Sequence, residues 1–130
     1  MPIVTLNDPR TGSTANVATH LGFNCFEFIG QLGDEAVSII HAADGFAGGD
    51  HPPSHSGIPL LFPFPNRIRG GRYSWDGKDY ELPESLVGYE GAGNAIHGFC
   101  LDRPWRVVAQ TESSVTGVFR ISQDAPERLP

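Results

Sequence analysis

The sequence predicts an all-β protein, an antiparallel β-sandwich, on three observations. No long segment shows the 3.6-residue spacing of apolar side chains that marks an amphipathic helix. Glycine and proline are abundant, at 16 and 11 of the 130 residues, and they divide the chain into short segments. Asp76-Gly77 stands between two short alternating segments, which is a strong signal for a β-hairpin. Together these features predict about seven to nine short strands in one domain.

The N-terminal third is predicted to contain a short lead-in and three strands. Residues 1–14 are polar and rich in turn residues, so we expect a lead-in there and a single sandwich domain over 15–130. The segments after it are rich in strand-forming residues and are separated by glycine-containing breaks. The predicted strands are 16–20, 23–31 and 35–42.

A long loop and a proline-rich segment come next. Residues 43–57 contain four glycines, two prolines and two histidines, which is typical of a loop. Residues 58–65 are apolar but have prolines at 59, 63 and 65. Because proline cannot donate a hydrogen bond to a neighbouring strand, we expect an extended, packed segment and not a central strand.

Two hairpins are predicted in the remainder of the chain. In the first, 72–75 and 79–82 flank Asp76-Gly77, and Tyr73, Trp75, Tyr80 and Leu82 alternate with polar residues. This alternation predicts one buried face. The second hairpin joins 105–110 to 115–122. Residues 84–93, between the two hairpins, are expected to form a flexible loop.

The composition excludes several classes of protein. The formal net charge is −6, whereas nucleic-acid binding normally needs a basic surface. No apolar run approaches the roughly 20 residues of a membrane span, and the N-terminus has no signal-peptide pattern. Cys25 and Cys100 match no metal-ligand spacing, so we expect reduced thiols in a cytoplasmic protein, with a disulfide between them as the alternative. We expect no partner nucleic acid and no membrane.

Three residues are candidates for binding a small polar ligand. Asn66-Arg67 follows a run of prolines and precedes Gly70-Gly71, so the guanidinium would stand at a fixed place and offer its rigid set of donors. The alternative is an ordinary surface arginine in a loop. His97 precedes a glycine, which permits close approach of a ligand or of another backbone segment, and its near-neutral pKa permits proton transfer. The alternative is a core histidine that bonds to a backbone carbonyl.

Other polar and aromatic side chains carry weaker signals. The spacing of His41, His51 and His55 fits no compact metal motif, so solvated loop histidines, and no metal or other cofactor, are expected. No phosphate loop, nucleophile elbow or dinucleotide fingerprint occurs. Aromatic rings could pack on the apolar face of a sugar, although such rings more often belong to a core. The rings in question are Tyr73, Trp75, Tyr89 and Trp105, of which Tyr89 is the least typical of a core.

The central third of the chain resembles the aldose 1-epimerase (galactose mutarotase) family. The resemblance is carried by PLLFPFPNRIRGGRYSWDGKDYELP, by NAIHGF and by the tryptophan that follows. Upstream LGFNCFEF and downstream PWRVVAQ are similar to the family as well, so the resemblance extends over about residues 15–128. It implies a β-supersandwich and an isomerase of carbohydrate metabolism that interconverts the α and β anomers of an aldohexose.

The resemblance also implies roles for particular residues. Arg67 and His97 stand where the family binds its sugar, and Asn66 is a weaker site residue. The catalytic pair of the family, a histidine acid and a glutamate base, is expected beyond this chain, because members run to roughly 300 residues. Without that pair, a glutamate of this chain would have to act as the base. The candidates are Glu81, Glu84 and Glu90, each expected on an exposed surface with an ordinary carboxyl pKa and poor proton transfer.

Three hypotheses about function remain. The chain is part of an aldose 1-epimerase, a carbohydrate-binding module without catalysis, or a fragment that folds only by self-association. A partial sandwich leaves strand edges unpaired, which predicts a homo-oligomer. Arg69, Arg72 and Arg103 would suit a hexose phosphate if they lay near Arg67, and ordinary surface arginines are the alternative.

Overall fold

The computed structural model describes residues 2–128, and β-strands make up most of their regular structure. The N-terminal strands form a four-stranded antiparallel sheet in the order β1-β2-β3-β4. Its members are β1 (Ile3–Asn7), β2 (Thr14–Ala18), β3 (Asn24–Leu32) and β4 (Glu35–Ser38). The three strands predicted between residues 16 and 42 are therefore present, with the third ending at Ser38.

The lead-in expected at 1–14 contains a strand. Ile3–Asn7 pairs with Thr14–Ala18 in a continuous antiparallel register, and Val4 is buried. Four strand-forming residues in a row, Ile3 to Leu6, suffice for this strand because the neighbouring strand supplies its hydrogen-bond partners. The turn residues of the lead-in are confined to the connection between the two strands.

The remaining strands form three smaller sheets. Both predicted hairpins are present, one of β6 (Arg72–Trp75) with β7 (Lys78–Glu81), the other of β10 (Arg106–Gln110) with β11 (Val115–Val118). The third is a three-stranded sheet in the order β5-β9-β8. Its strands are β5 (Arg67–Ile68), β8 (Gly88–Tyr89) and β9 (Ala95–Ile96).

The prediction of a buried face on the first hairpin is wrong for its three aromatic residues. Tyr73, Trp75 and Tyr80 are 44%, 73% and 40% exposed, and only Leu82 is buried. Tyr73 and Tyr80 are directly opposite each other and stack at 5.1 Å. Alternation establishes which side chains share a face, but another element must cover that face to bury it. None of the described residues does so here.

The expected flexible loop at 84–93 instead forms the centre of a hydrophobic core. Leu86 and Val87 are buried with Leu82 and Ala95, and Gly88–Tyr89 is a strand of the three-stranded sheet. The half-buried side chains that pack against this core are Phe64, Ile68, Tyr89, Phe99 and Ile121. Two consecutive apolar residues, Leu86-Val87, were a signal for this burial.

A second cluster surrounds Trp105, which has core neighbours. Its ring stacks on Phe23 at 5.6 Å and lies 5.7 Å from Phe119, and its Nε1 donates to the Cys100 carbonyl at 3.2 Å. The predicted strand at 115–122 ends at Val118, and Ile121 begins a short helix (Ile121–Asp124).

Among residues 2–128, no helix has the length and apolar character to cross a bilayer.

The loop at 43–57 is fastened to β3 by one buried side chain. Asn24 is 1% exposed; its Nδ2 donates to the Ser56 carbonyl, and its Oδ1 accepts from the Ile58 amide, both at 2.9 Å. The Ile58 amide also reaches the Cys25 carbonyl at 3.0 Å. The proline-rich segment that follows is not part of a described strand. Its β-pairing among residues 2–128 is a single isolated bridge between Ile58 and Cys25, as its prolines predict.

Replacing Asn24 by alanine is expected to destabilise the fold. Asn24→Ala leaves the Ser56 carbonyl buried with one partner fewer, so we expect the free energy of unfolding to fall by about 2 kcal/mol. Urea denaturation followed by tryptophan fluorescence measures this change. Asn7→Ala, at an exposed position where only the backbone bonds across to Glu112, is the matched control and should change stability by less than about 0.5 kcal/mol. Equal effects of the two substitutions would contradict the role of Asn24.

Candidate functional site

The three-stranded sheet determines which side chains face solvent and which face the core. Ile68 lies opposite Ala95, and Arg67 lies opposite Ile96. Ala95 is fully buried and Ile68 packs on the same core. Because successive side chains of a strand point to opposite faces, the Arg67 side chain projects from the outer face. The sheet that holds Arg67 is therefore anchored from beneath by the core.

Asn66 and His97 lie together at the end of this ladder. The His97 amide donates to the Asn66 carbonyl at 3.0 Å. Both residues have left-handed backbone, with φ of 58° at Asn66 and 65° at His97. Asparagine and histidine adopt this conformation more readily than most residues, but it still costs on the order of 1 kcal/mol at each position. Strain of this kind is often concentrated at binding sites.

The chain after His97 is fixed against the proline-rich segment. Gly98 has a φ of 73° and is buried, and a Cβ at this position would overlap the carbonyl of Phe62. The next amide, of Phe99, donates to that same carbonyl at 2.8 Å. Of the two alternatives for this glycine, approach of a ligand and approach of another backbone segment, the structure shows the second. This contact holds His97 in register with Asn66.

Arg67 lies between two oxygen acceptors. Its Nη1 donates to Asn66 Oδ1 at 2.8 Å, and its Nε is 3.7 Å from Glu90 Oε2. Glu90 follows β8, the strand on the far side of β9, so the arginine side chain reaches across the central strand. We call Asn66, Arg67, Glu90, Asn94 and His97 the polar cluster.

Glu90 was expected to be exposed, with an ordinary carboxyl pKa, and the structure differs. Its side chain is 22% exposed. Partial burial raises the pKa of Glu90, but the hydrogen bonds from the Asn94 and Ala92 amides and from the Asn94 side chain outweigh it. Together with Arg67 they bring the pKa below its usual value. Glu90 is therefore ionised at neutral pH and a weak base. Sequence reasoning did not predict its contact with Arg67.

His97 is partly withdrawn from water. Burial lowers the pKa of His97 below 6.5, and the positive charges of Arg67 and then His55 lower it further. The ring is therefore neutral at pH 7 and has one donor and one acceptor nitrogen. Its Nδ1 is buried and has no hydrogen-bond partner within residues 2–128. The alternative for His97 was a core histidine whose ring bonds to a backbone carbonyl. The structure shows no such bond at Nδ1 within residues 2–128.

Several of the other residues singled out from the sequence have partners of their own, whereas His55 acts electrostatically on His97. The Tyr89 ring packs on the core and its hydroxyl donates to the Leu82 carbonyl, so it is not an exposed aromatic platform. His51 bonds through Nε2 to the Asp44 carbonyl at 2.8 Å. Arg72 pairs with Glu81 at 3.3 Å, and Arg103 pairs with Glu127.

Two further features concern metal binding and the two cysteines. Within the described part of the chain, no group of three or more histidine, cysteine, aspartate or glutamate side chains could hold a metal ion. Cys25 and Cys100 are not joined in a disulfide; the first is half-buried and the second buried. Burial raises the pKa of the Cys25 thiol. These thiols lie outside the polar cluster.

Comparisons with known proteins give one consistent result. A family model described as Aldose 1-epimerase matches residues 38–130. The uncharacterized protein YihR of Escherichia coli strain K12 is 38% identical over 65 residues, which are 50% of this chain and 20% of that protein. The match to the family model confirms the resemblance carried by the central motifs.

Two solved structures have a similar fold. A galactose mutarotase-like protein from Clostridium acetobutylicum gives a TM-score of 0.63 at 26% identity, over 82% of this chain and 31% of that one. The GalM/aldose epimerase homologue from C. elegans gives 0.64 at 16% identity, over 89% and 34%. The predicted all-β, galactose mutarotase-like fold is confirmed. The chain spans about a third of the length of these structures and a fifth of YihR.

The electrostatics of the cluster predict the titration of His97. We expect its imidazole to titrate with a midpoint below 6.5, measured from its Cε1 proton by NMR. Arg67→Met should move the midpoint upward but not fully back to 6.5, because burial remains. Arg72→Met is the control and should leave it unchanged, because Arg72 is paired with Glu81 and does not contribute to the lowered pKa of His97. A midpoint at or above 6.5 in the unsubstituted chain would contradict this environment.

Proposed function

Because the chain belongs to the aldose 1-epimerase family, we propose that Asn66, Arg67 and His97 bind an aldohexose whose anomers the family interconverts. The observation that carries this proposal is their convergence at the end of one ladder. Arg67 supplies charged donors, and His97, whose ring is neutral, is near enough for the guanidinium to lower its pKa. Sugar hydroxyls both donate and accept, and fixed backbone holds these two residues ready for them.

The charge of the cluster favours a neutral sugar over a hexose phosphate. Of the three arginines considered as additional phosphate ligands, Arg72 and Arg103 are paired with glutamates, and Arg69 is exposed. Arg67 already lies beside the carboxylate of Glu90. A phosphate would have to displace that carboxylate or accept its repulsion. We therefore propose an unphosphorylated aldohexose as the ligand.

Anomer exchange needs two proton transfers that this cluster is poorly suited to supply. Ring opening breaks the bond between C1 and the ring oxygen, while an acid gives a proton to that oxygen and a base takes the proton of the C1 hydroxyl. Ring closure on the other face of C1 reverses both transfers. Glu90 is a weak base because its pKa is lowered, and Glu81 and Glu84 are exposed. We propose that residues 2–128 bind and orient the sugar, and that the acid and base come from other parts of the family's domain.

A carbohydrate-binding module is the second candidate function. It has the same ligand and the same three binding residues but no acid and base elsewhere. The low basicity of Glu90 is the observation that favours it. The cytoplasm remains our proposed location, and its support is that Cys25 and Cys100 are not joined in a disulfide.

Sugar binding and anomer exchange test these proposals together. Titration of the 15N-labelled chain with glucose and galactose should give a saturable shift at Arg67 and His97. Arg67→Ala should raise the Kd about tenfold, as expected for the loss of a charged hydrogen bond worth ~1.4 kcal/mol. His97→Ala should raise it as well. Arg72→Ala and His41→Ala are matched controls at exposed positions and should leave the Kd unchanged. Glucose 6-phosphate should bind more weakly than glucose.

Magnetisation-exchange NMR on the same samples separates binding from catalysis. We expect α/β interconversion at the buffer rate for the 130-residue chain. Faster exchange that disappears in Arg67→Ala and His97→Ala would show that this chain holds its own acid and base. Absence of saturable binding to any aldohexose would overturn the proposed function.

We also propose that the chain self-associates through open strand edges. β1 and β4 are the outer strands of the four-stranded sheet. Exposed apolar side chains lie on or near such edges, including Ile3, Leu32, Val107 and Val108. Unpaired edges with apolar side chains promote strand pairing between chains.

Sedimentation velocity measures this association directly. At micromolar concentration we expect a dimer, and lysine at Val107 and Val108 together should reduce association if β10 forms the contact. Ile3→Lys tests the β1 edge in the same way. A single monomeric species for the unsubstituted chain would contradict self-association.

A further inference from the structure

The turn that carries Glu90 is locked by its own hydrogen bonds. The Glu90 amide donates to the Asn94 carbonyl at 3.0 Å, and the Gly93 amide donates to the Glu90 carbonyl at 2.8 Å. The Asn94 amide and Nδ2 both donate to Glu90 Oε1, at 3.1 and 2.7 Å. These contacts hold the carboxylate in one orientation.

The same asparagine connects this turn to the strand that bears Arg67. Asn94 Oδ1 accepts from the Gly70 amide at 3.0 Å, just after β5 ends. Asn94 thus uses its amide nitrogen on Glu90 and its oxygen on the β5 side. The carboxylate of Glu90 and the backbone of Arg67 are therefore placed relative to each other by a single side chain.

The two oxygens of the Glu90 carboxylate have separate roles. Oε1 accepts both hydrogen bonds from Asn94, and Oε2 faces Arg67 Nε at 3.7 Å. On its other side, the guanidinium bonds to Asn66 Oδ1. The Arg67 side chain is still 52% exposed, so its remaining donors are open to a ligand while its direction is set from both sides.

We propose that Glu90, locked by Asn94, is a positioning residue that presets the Arg67 guanidinium for the sugar. This inference rests on the proposed function. A long exposed arginine normally loses its rotamer freedom when it binds a ligand. An arginine held in advance by a carboxylate has lost part of that freedom before the sugar arrives. The carboxylate acts through Arg67 and does not have to touch the sugar.

A simple surface ion pair would not have this effect, and the chain contains one for comparison. Arg72 and Glu81 are 3.3 Å apart on the first hairpin, with side chains 72% and 65% exposed. Exposed pairs of this kind contribute little, because solvent screens them and both side chains move. Glu90 differs in being 22% exposed and in having its carboxylate fixed by a second residue. Glu81 is therefore the matched control.

NMR of the whole 130-residue chain tests directly whether Glu90 orients Arg67 before the sugar binds. We would record the Arg67 Nε–H signal and the Kd for glucose and galactose in the unsubstituted chain, Glu90→Gln, Asn94→Ala and Glu81→Gln. Glu90→Gln should shift the Arg67 signal and raise the Kd about fivefold, the size expected when one long side chain has to be immobilised on binding. Asn94→Ala should act in the same direction. Glu81→Gln should change neither quantity.

Acidification of the unsubstituted chain gives a second measurement that does not depend on a variant folding. The lowered pKa of Glu90 keeps its contact with Arg67 intact above the ordinary carboxyl value of 4.5. The contact is lost only as the pH falls through the lower value of the folded chain. The Arg67 Nε–H signal should therefore move with a midpoint below 4.5.

The outcomes distinguish this inference from the proposed function. If the chain binds sugar but Glu90→Gln leaves both the Kd and the Arg67 signal unchanged, the positioning role of Glu90 is overturned. If the signal moves and the Kd does not, the contact exists but does not serve binding, and the positioning role is again overturned. If no sugar binds to the unsubstituted chain, the proposed function fails. The contact is then judged on the Arg67 signal alone, where a shift in Glu90→Gln but not in Glu81→Gln supports it.

Discussion

The pairing of β5 with β9 is the constraint on which the candidate site depends. The ladder is only two residues long, yet Asn66 and His97 lie at its end, and Arg67 is part of it. Ile68 and Ala95 are directed into the core with Leu82, Leu86 and Val87, and this burial fixes the face of each strand. Alternation then directs Arg67 outward, and Asn66 and His97 meet where the ladder ends. A register shift of one residue would bury the guanidinium and expose the isoleucine, which the core does not permit.

Much of the fold follows from local sequence signals. The Asp76-Gly77 turn, the second hairpin and the strands between residues 14 and 38 were predictable, because turn residues and alternation act over a few positions. Burial was less predictable. The pattern of the first hairpin identifies the shared face of Tyr73 and Tyr80, but their exposure depends on which elements cover that face. The same limit explains Leu86 and Val87, which lie in a segment rich in turn residues and yet form the centre of the core.

The candidate site was predictable only in part. Asn66, Arg67 and His97 are found by motif, and the structure brings them together, while their sugar-binding roles remain a proposal. The contact of Glu90 with Arg67 joins positions 23 residues apart in the sequence and spans a central strand, so no local pattern reports it. The Glu-x-x-x-Asn turn fixes the Glu90 carboxylate, but this role is apparent only from the structure, where Asn94 forms hydrogen bonds to both Glu90 and Gly70.

The charges of the polar cluster are balanced in a way that bears on its ligand. The carboxylate of Glu90 offsets the guanidinium of Arg67, and that guanidinium in turn helps to keep His97 neutral. A protonated His97 would offer two donors and no acceptor, whereas the neutral ring offers one of each. Sugar hydroxyls both donate and accept, so the neutral ring suits them better than an imidazolium would. A site for phosphate would gain from the opposite arrangement, with positive charge left uncompensated. Under the proposed function, the ion pair between Arg67 and Glu90 orients the guanidinium and disfavours anions, and a neutral polyol is the ligand class that we propose.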